Sequence, residues 1–249
     1  MIGRLKMELN ANENEISYQM ASTFHGALME LLPKDYATEL HLSKRHPYTQ
    51  HLEHCGDKWY WIVNALNDDA VKRIIKDSLF GVEQIVIKKH DLVLNILNKE
   101  YDEMTRQELS HSFYQEQASK YVDVQFVTPT AFKQNGRYVN YPDIRLIFMS
   151  IMNGFDAAYP DEEMFDEDTL DEIANHASLS RYELKSASFN VEGVRIPAFV
   201  GRMTLKLNGT QTMANFVNML LSFAEFSGIG IKTALGMGAI RVNKKGYSK

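Results

Sequence analysis

Apolar and polar residues follow two different periods along the first half of the chain, and each period predicts a different element. Residues 4–9 have the pattern of a strand, whereas residues 19–32 repeat apolar positions at the spacing of a helix that Pro33 ends. Two short strands, a helix and a last strand follow at residues 48–53, 58–63, 68–79 and 82–88. The predicted order is β-α-β-β-α-β.

The second half repeats this order with one additional helix. Its predicted elements are a strand at 121–127, a helix at 142–152, a hairpin at 181–191 and 194–207, a helix at 212–226, a strand at 239–242, and the additional helix at 166–177. This repetition predicts an α+β protein of two tandem ferredoxin-like (RRM-like, βαββαβ) domains. We place the domains at residues 1–118 and 119–249. Such an architecture hosts many activities and selects none.

Composition places the chain among ordinary globular proteins. Hydrophobic residues make up 45% of its 249 positions and charged residues 24%. No apolar run reaches about 18 residues, so we expect no membrane-spanning helix, and the first residues show no secretory signal. The single cysteine, Cys55, excludes an internal disulfide framework. These features predict a cytoplasmic protein.

The net charge of −5 is unevenly distributed along the chain. Residues 155–172 contain nine acids and no base, which leaves 27 bases against 23 acids elsewhere. Residues 228–249 contain five bases and no acid. Because the local field governs binding to phosphates, an anionic partner stays possible despite the net charge.

Four of the 14 glycines lie within eleven residues near the C-terminus, namely Gly228, Gly230, Gly236 and Gly238. Neither a Walker A loop nor a dinucleotide fingerprint fits, because Lys232-Thr233 lies between the two glycine pairs and the loop follows a predicted helix. Two interpretations stay open. The backbone amides and Lys232 bind an anion, or the glycines form a tight connection that needs positive φ.

Five of the eight histidines lie between residues 25 and 54, namely His25, His41, His46, His51 and His54. A zinc site of His51, His54 and Cys55 is one interpretation, although no HExxH or paired CxxC motif accompanies it. Acid–base chemistry is a second, because imidazole both takes and gives a proton near neutral pH. The third is an exposed, solvated loop.

Cations adjoin these histidines, as metal-free RNA cleavage requires. A base removes the 2′-hydroxyl proton, an acid protonates the leaving 5′-oxygen, and cations stabilise the phosphorane. The segment from His41 to His46 contains Lys44 and Arg45 beside the two imidazoles. This pattern is typical of such a site without excluding the other interpretations.

Four segments, in order along nearly the whole chain, make the sequence similar to a known family. They are Phe24-His25-Gly26 with Glu39-Leu40-His41 and Pro47-Tyr48-Thr49, then residues 126–132 with Pro142 and residues 146–148, then residues 197–201, and finally residues 223–238. In these segments the chain resembles the Cas-six family of CRISPR-associated endoribonucleases. The last segment, which contains the glycine-rich loop, is the most specific.

The resemblance implies tandem ferredoxin-like domains and metal-independent cleavage of the repeats in precursor CRISPR RNA, with no cofactor. The products would carry a 5′-hydroxyl and a 2′,3′-cyclic phosphate or 3′-phosphate, and the guide RNA would keep a short repeat-derived 5′ tag. It also implies that His41 is the main proton-transfer residue. We assign Lys44 as transition-state stabiliser and His46 as a reserve proton carrier.

The predicted RNA contacts comprise the glycine-rich loop and basic residues of the second domain. They are Gly228, Gly230, Lys232, Thr233, Gly236, Gly238, Lys133, Arg137, Arg195 and Arg202. The expected partners are precursor CRISPR RNA and a CRISPR effector complex, with the chain a monomer or a homodimer. One alternative is a non-catalytic subunit that binds repeat RNA in an effector complex, and another is a zinc-dependent hydrolase.

Overall fold

The computed structural model describes residues 1–12, 15–43, 45–115, 117–191 and 193–243. They form two compact units. The first contains Met1–Met104 and Lys232–Gly236, and the second contains Thr105–Ile231 and the chain from Met237 onward. Residues 105–118, which the sequence-based division assigns to the first domain, lie in the second unit.

The described residues of the first unit form five strands and three α- or π-helical elements, besides single turns of 3-10 helix. They are β1 (Ile2–Leu9), α1 (Ala21–Leu31), α2 (Lys34–Leu42), β2 (Tyr48–Cys55), β3 (Lys58–Ala65), α3 (Asp68–Ala70) with a continuous π-helix (Val71–Leu79), β4 (Gln84–Ile87) and β5 (Leu92–Met104). The strands form one antiparallel sheet in the order β2-β3-β1-β5-β4.

This sheet has the predicted ferredoxin-like order, but its fourth strand is not the predicted one. The strand expected at residues 82–88 exists as the shorter β4, and β4 pairs only with β5 at the sheet edge. Strand β5, which the sequence analysis missed, is the strand that pairs with β1. Residues 98–104 of β5 are mostly polar and none of them is buried, so this half of the strand lacks the alternation of buried apolar and exposed polar residues that identifies a strand in the sequence.

The core of the first unit lies between one face of this sheet and its helices. Leu5 and Met7 of β1 are fully buried, and Trp61 of β3 meets Phe24 of α1 edge to face with ring centroids 5.4 Å apart. Asn67 caps α3 by accepting the Ala70 amide at 2.8 Å.

The second unit contains four helices and six strands. They are α4 (Arg106–Gln115), β6 (Tyr121–Thr130), β7 (Phe132–Gln134), β8 (Arg137–Val139), α5 (Ile144–Ala158), α6 (Glu167–His176), β9 (Ala177–Val191), β10 (Val194–Leu207), α7 (Gln211–Ser227) and β11 (Ile240–Asn243). Strands form a sheet in the order β11-β6-β10-β9, with β7 and β8 as a separate hairpin.

The second sheet again has the ferredoxin-like order, which confirms the predicted fold class. Val122, Val124 and Phe126 of β6 are buried, whereas the intervening Asp123 and Gln125 are only half-buried on the other face. The additional helix predicted at residues 166–177 is α6, and its N-cap Asp166 accepts the Thr169 amide at 2.7 Å. No described helix is both long and apolar enough to span a membrane.

Candidate active site

Helix α2 carries His41 in its last turn. Pro33 precedes the helix with a φ of −53° and a ψ of 136°, and the helix ends where Ser43 becomes extended. The Ser43 amide donates to the Glu39 carbonyl at 3.1 Å, and the Ser43 hydroxyl donates to the Arg45 carbonyl at 2.6 Å. Because His41 is exposed, an external ligand can reach its imidazole.

His46 lies in a cluster of three rings with His25 of α1 and Tyr48 of β2. The His46 ring centroid lies 5.5 Å from that of Tyr48 and 6.3 Å from that of His25. His25 and Tyr48 stack at 6.2 Å with an interplanar angle of 14°. The start of β2 and helix α1 therefore fix the ring of His46, although the sequence predicts neither a helix nor a strand at this residue.

Burial lowers the pKa of the His46 imidazole. A hydrogen bond with the Leu40 backbone acts in the opposite direction, and the charges of His41 and Lys232 lower the pKa further. Nδ1 of His46 is buried and has no hydrogen-bond partner among the described residues. The imidazole is therefore neutral at pH 7, which is the state that accepts a proton.

The structure thus brings His41, His46 and Lys232 into one site of the first unit, although Lys232 is almost 200 positions from the histidines in sequence. Lys44, the predicted transition-state stabiliser, lies outside the described residues. Sequence reasoning missed His25 and Tyr48 as part of this site. The Phe24-His25-Gly26 and Pro47-Tyr48-Thr49 segments were the available signal for them.

The backbone of the glycine-rich loop needs its glycines. Gly228, Gly230, Gly236 and Gly238 all have positive φ, at 66°, 87°, 110° and 74°. A Cβ on Gly230 would lie 2.3 Å from the Ala131 carbonyl oxygen, so no side chain fits there. Lys232 is the one non-glycine residue of the loop with positive φ, at 60°. The glycines therefore form a tight connection.

Most amides of the loop root are already used within the second unit. The Ile229 amide donates to the Gly238 carbonyl at 2.8 Å, and the Gly238 amide donates to the Pro129 carbonyl at 3.0 Å. The Gly230 amide donates to the Ser150 hydroxyl at 2.8 Å. The RNA-binding role predicted for the four glycines stays a prediction, and in the structure these amides hold the loop.

The tip of the loop presents its side chains. Lys232 is exposed and Thr233 is half-buried, and they begin a single turn of 3-10 helix over Thr233–Leu235. Gln50, which is 1% exposed, fixes this tip from β2. Its amide nitrogen donates to the carbonyls of Ala21 at 2.9 Å and Ala234 at 3.0 Å.

Two predicted RNA contacts lie on the β7–β8 hairpin of the second unit. Lys133 and Arg137 are exposed on either side of a turn at Asn135-Gly136, whose two positive φ angles of 49° and 79° suit a two-residue hairpin. The Lys133 Nζ lies 5.8 Å from the ring centroid of Tyr138. The hairpin thus presents two cations beside an exposed phenol ring.

The other two basic residues predicted to contact RNA, Arg195 and Arg202, lie on β10 and not on this hairpin. Arg195 is exposed near the start of β10 and lies opposite Asn190 of β9 in the strand register. Arg202 is exposed on the polar face of the sheet, between Gln125 of β6 and Glu183 of β9. It lines a groove of about 310 Å³. Both positions suit contacts with a polyanion.

The described residues contain no cluster of three or more His, Cys, Asp and Glu side chains that could hold a metal, so the structure does not bring His51, His54 and Cys55 together as the zinc interpretation needs. His51 and His54 lie on opposite faces of β2, because side chains alternate along a strand. His51 Nε2 lies 3.7 Å from the Glu53 carboxylate, whereas His54 stacks on Trp59 at 4.8 Å. Strand geometry therefore keeps the predicted ligands apart.

Comparisons with known proteins agree on one family. Residues 124–240 match the family described as CRISPR-associated endoribonuclease Cas6. The chain is 36% identical over 227 residues to a protein of that name from Streptococcus thermophilus, covering 91% of this chain and 92% of the relative. It is 35% identical over 222 residues to one from Mycobacterium tuberculosis, covering 88% of this chain and 70% of the relative.

Solved structures share the fold. A Cas6 product complex superimposes with a TM-score of 0.79 at 21% identity, covering 98% of this chain and all of that one. Cas6 from Thermus thermophilus superimposes with a TM-score of 0.70 at 20% identity, covering 98% of each chain.

Proposed function

The chain belongs to the Cas6 family of CRISPR-associated endoribonucleases, and we propose that it cleaves the repeats of precursor CRISPR RNA with His41 and His46 as its two proton carriers. The observation that carries this assignment is the neutral, half-buried His46 beside the exposed His41 and the cation Lys232. A base, an acid and a positive charge are the three groups that 2′-hydroxyl attack on a phosphodiester requires.

In the proposed reaction, neutral His46 accepts the proton of the 2′-hydroxyl. The 2′-oxygen attacks the adjacent phosphorus, and the bond from phosphorus to the 5′-oxygen breaks. His41 gives its proton to that leaving oxygen, so the products carry a 2′,3′-cyclic phosphate and a 5′-hydroxyl. Lys232, with Lys44 as the predicted second cation, stabilises the charge that develops on the phosphorane.

The RNA lies along the basic side chains of the second unit in this proposal. Lys133, Arg137, Arg195 and Arg202 are exposed cations that can pair with backbone phosphates. The glycine-rich loop contributes through Lys232 and Thr233 at its tip. The proposal includes a cytoplasmic location, because precursor CRISPR transcripts are made in the cytoplasm.

Replacing His41 tests the catalytic assignment. We expect His41→Ala to cut end-labelled repeat RNA from the source organism's own array at least about 100-fold more slowly in EDTA, because the leaving oxygen loses its acid. RNA binding should change little. His90→Ala, which removes an exposed histidine from the turn before β5, is the matched control and should cut at the wild-type rate.

A repeat RNA in which sulfur replaces the 5′-oxygen at the cut distinguishes the roles of the two histidines. A thiolate leaves without a proton, so this substrate should restore cleavage by His41→Ala but not by His46→Ala. The reverse pattern would exchange the acid and the base. Wild-type cutting by His41→Ala on ordinary RNA would refute its role, and tight binding without any cut by the wild type would support the non-catalytic alternative.

A further inference from the structure

The helix that presents His41 has little of its own to hold it in place. Helix α2 has nine residues, and only Tyr36 and Leu40 of them are buried. Pro33 occupies the N-cap position and makes no side-chain hydrogen bond to the helix. Isolated helices of this length are marginal in water. The orientation of α2, and with it the position of His41, must therefore depend on contacts with neighbouring elements.

Arg73 supplies such contacts from the π-helix. Its guanidinium carbon lies 3.7 Å from the ring centroid of Tyr36, which is stacking distance. Its two terminal nitrogens lie 3.4 Å from the carboxylates of Asp35 and Glu39. One side chain thus engages three residues on one face of α2, the last of them two positions before His41.

The charge of Arg73 is paired with carboxylates of the protein itself. Besides Asp35 and Glu39, the carboxylate of Asp69 lies 3.9 Å away, and the Arg73 side chain is only 28% exposed. A guanidinium bound by three carboxylates and an aromatic face is not available to an RNA phosphate. Lys72, its neighbour on the same helix, is exposed.

The support beneath Arg73 is rigid. The π-helix buries Val71, Ile74, Ile75 and Leu79 in the core of the first unit. Because Arg73 lies between two of these buried positions, its backbone is fixed by packing. Its planar guanidinium can then hold α2 in one orientation, which a flexible lysine ammonium does less well.

We propose that Arg73 is a positioning residue for the cleavage reaction, which holds α2 so that the imidazole of His41 meets the scissile phosphate. This inference rests on the proposed function, because it assigns Arg73 a role only through His41. It assigns no contact between Arg73 and the RNA. A displacement of the imidazole by about 1 Å is enough to slow such a step by about 100-fold.

The test compares Arg73→Gln, Arg73→Lys and Lys72→Gln with the wild type on repeat RNA under single-turnover conditions with saturating protein. We expect Arg73→Gln to cut about 10- to 100-fold more slowly, with RNA affinity and melting temperature close to those of Lys72→Gln. Lys72→Gln removes the same charge one residue away and should cut at the wild-type rate. Arg73→Lys should restore part of the rate.

A second variant removes the same contact from the other side. Glu39→Gln weakens the hold on α2 while making the surface more positive, so we expect slower cutting together with RNA binding that is unchanged or tighter. Hydrogen exchange at the Ser43 amide, which closes the last turn of α2, should be faster in Arg73→Gln and Glu39→Gln than in Lys72→Gln.

These outcomes separate the two proposals. If His41→Ala is inactive and both Arg73→Gln and Glu39→Gln cut at the wild-type rate, the positioning role is refuted while the catalytic assignment stands. If His41→Ala cuts normally, the catalytic assignment itself fails. A slow Arg73→Gln whose affinity has fallen by the same factor would also overturn the proposal, because Arg73 would then act on RNA binding.

Discussion

At the scale of single residues, His46 illustrates how burial decides chemistry. An imidazole in water is partly protonated near pH 6.5, and nothing in the sequence distinguishes His46 from His41 in this respect. In the fold, His46 is half-buried against Tyr48, and its pKa is lowered, first by burial. Two histidines five positions apart therefore differ in environment. His46 is half-buried and neutral, whereas His41 is exposed.

The lowered pKa of His46 predicts a stability change with pH. The unfolded chain takes up a proton near pH 6.5, before the folded protein does, so the contribution is fully present above that pH and is lost as the pH falls toward the lowered value. We expect His46→Gln to lose less stability between pH 7.5 and 5.5 than the wild type. The difference is at most about 1.4 kcal/mol per pH unit, because one proton is involved.

Urea unfolding followed by tryptophan fluorescence measures this effect. Both tryptophans, Trp59 and Trp61, are buried in the first unit with His46. His90→Gln is the control, since it makes the same replacement at an exposed histidine. Parallel curves for wild type and His46→Gln would contradict the burial argument.

At the scale of elements, strand β2 makes hydrogen bonds to three other segments that the sequence analysis did not predict. A short strand was predicted at residues 48–53, but its middle residue Gln50 was not singled out. In the structure the Gln50 side chain is buried and fully used, because its amide nitrogen donates to two carbonyls and its oxygen accepts from Trp61 Nε1 at 2.9 Å. It joins β2 to α1, to β3 and to the loop tip.

Replacing Gln50 should therefore destabilise the first unit and release the tip that carries Lys232. Gln50→Leu removes three buried hydrogen bonds, those with the Ala21 and Ala234 carbonyls and with Trp61 Nε1, and we expect a loss of about 2–4 kcal/mol in the free energy of unfolding. Cleavage should slow as well. Tryptophan-monitored urea unfolding and a single-turnover cleavage assay measure the two effects.

Gln84→Leu is the matched control for this experiment. Gln84 is an exposed glutamine on the edge strand β4, where its side-chain amide donates to Asn95 Oδ1 at 2.9 Å. Its replacement should change stability by no more than about 0.5 kcal/mol. Equal losses in Gln50→Leu and Gln84→Leu would show that the buried hydrogen bonds do not anchor the tip.

At the scale of the whole molecule, several acidic side chains of residues 155–172 bond to other parts of the protein. Arg145 pairs with Glu167 and Asp171 of α6, and Arg106 pairs with Glu162. Asp156 accepts the amides of residues 164 and 165. Several acids of residues 155–172 are thus engaged within the second unit, so the net charge of −5 does not describe the field at the exposed cations.

This charge distribution predicts salt-sensitive RNA binding by an acidic protein. If Lys133, Arg137, Arg195, Arg202 and Lys232 each pair with one phosphate, log K should fall with log salt at a slope of about −3.5, since a single-strand contact contributes about −0.7. The paired change Lys133→Gln and Arg137→Gln should reduce the slope by about 1.4. Binding assays between 50 mM and 300 mM salt, roughly the range where such contacts are lost, measure it.

The paired change Lys88→Gln and Lys89→Gln controls for loss of charge alone. These lysines are exposed in the turn before β5 and lie outside the predicted contacts. They should leave the slope unchanged. An equal reduction by both pairs would indicate a diffuse field in place of defined phosphate contacts.

The sequence by itself determined the repeated ferredoxin-like order, the helix ends at Pro33 and Asp166, and the family, because periodicity, caps and motifs are local properties of the chain. It did not determine β5, whose strand character comes from pairing with β1 and not from its own alternation. It did not identify Arg73 or Gln50 either. Their roles depend on partners up to 184 positions away, which only the folded chain brings within bonding distance.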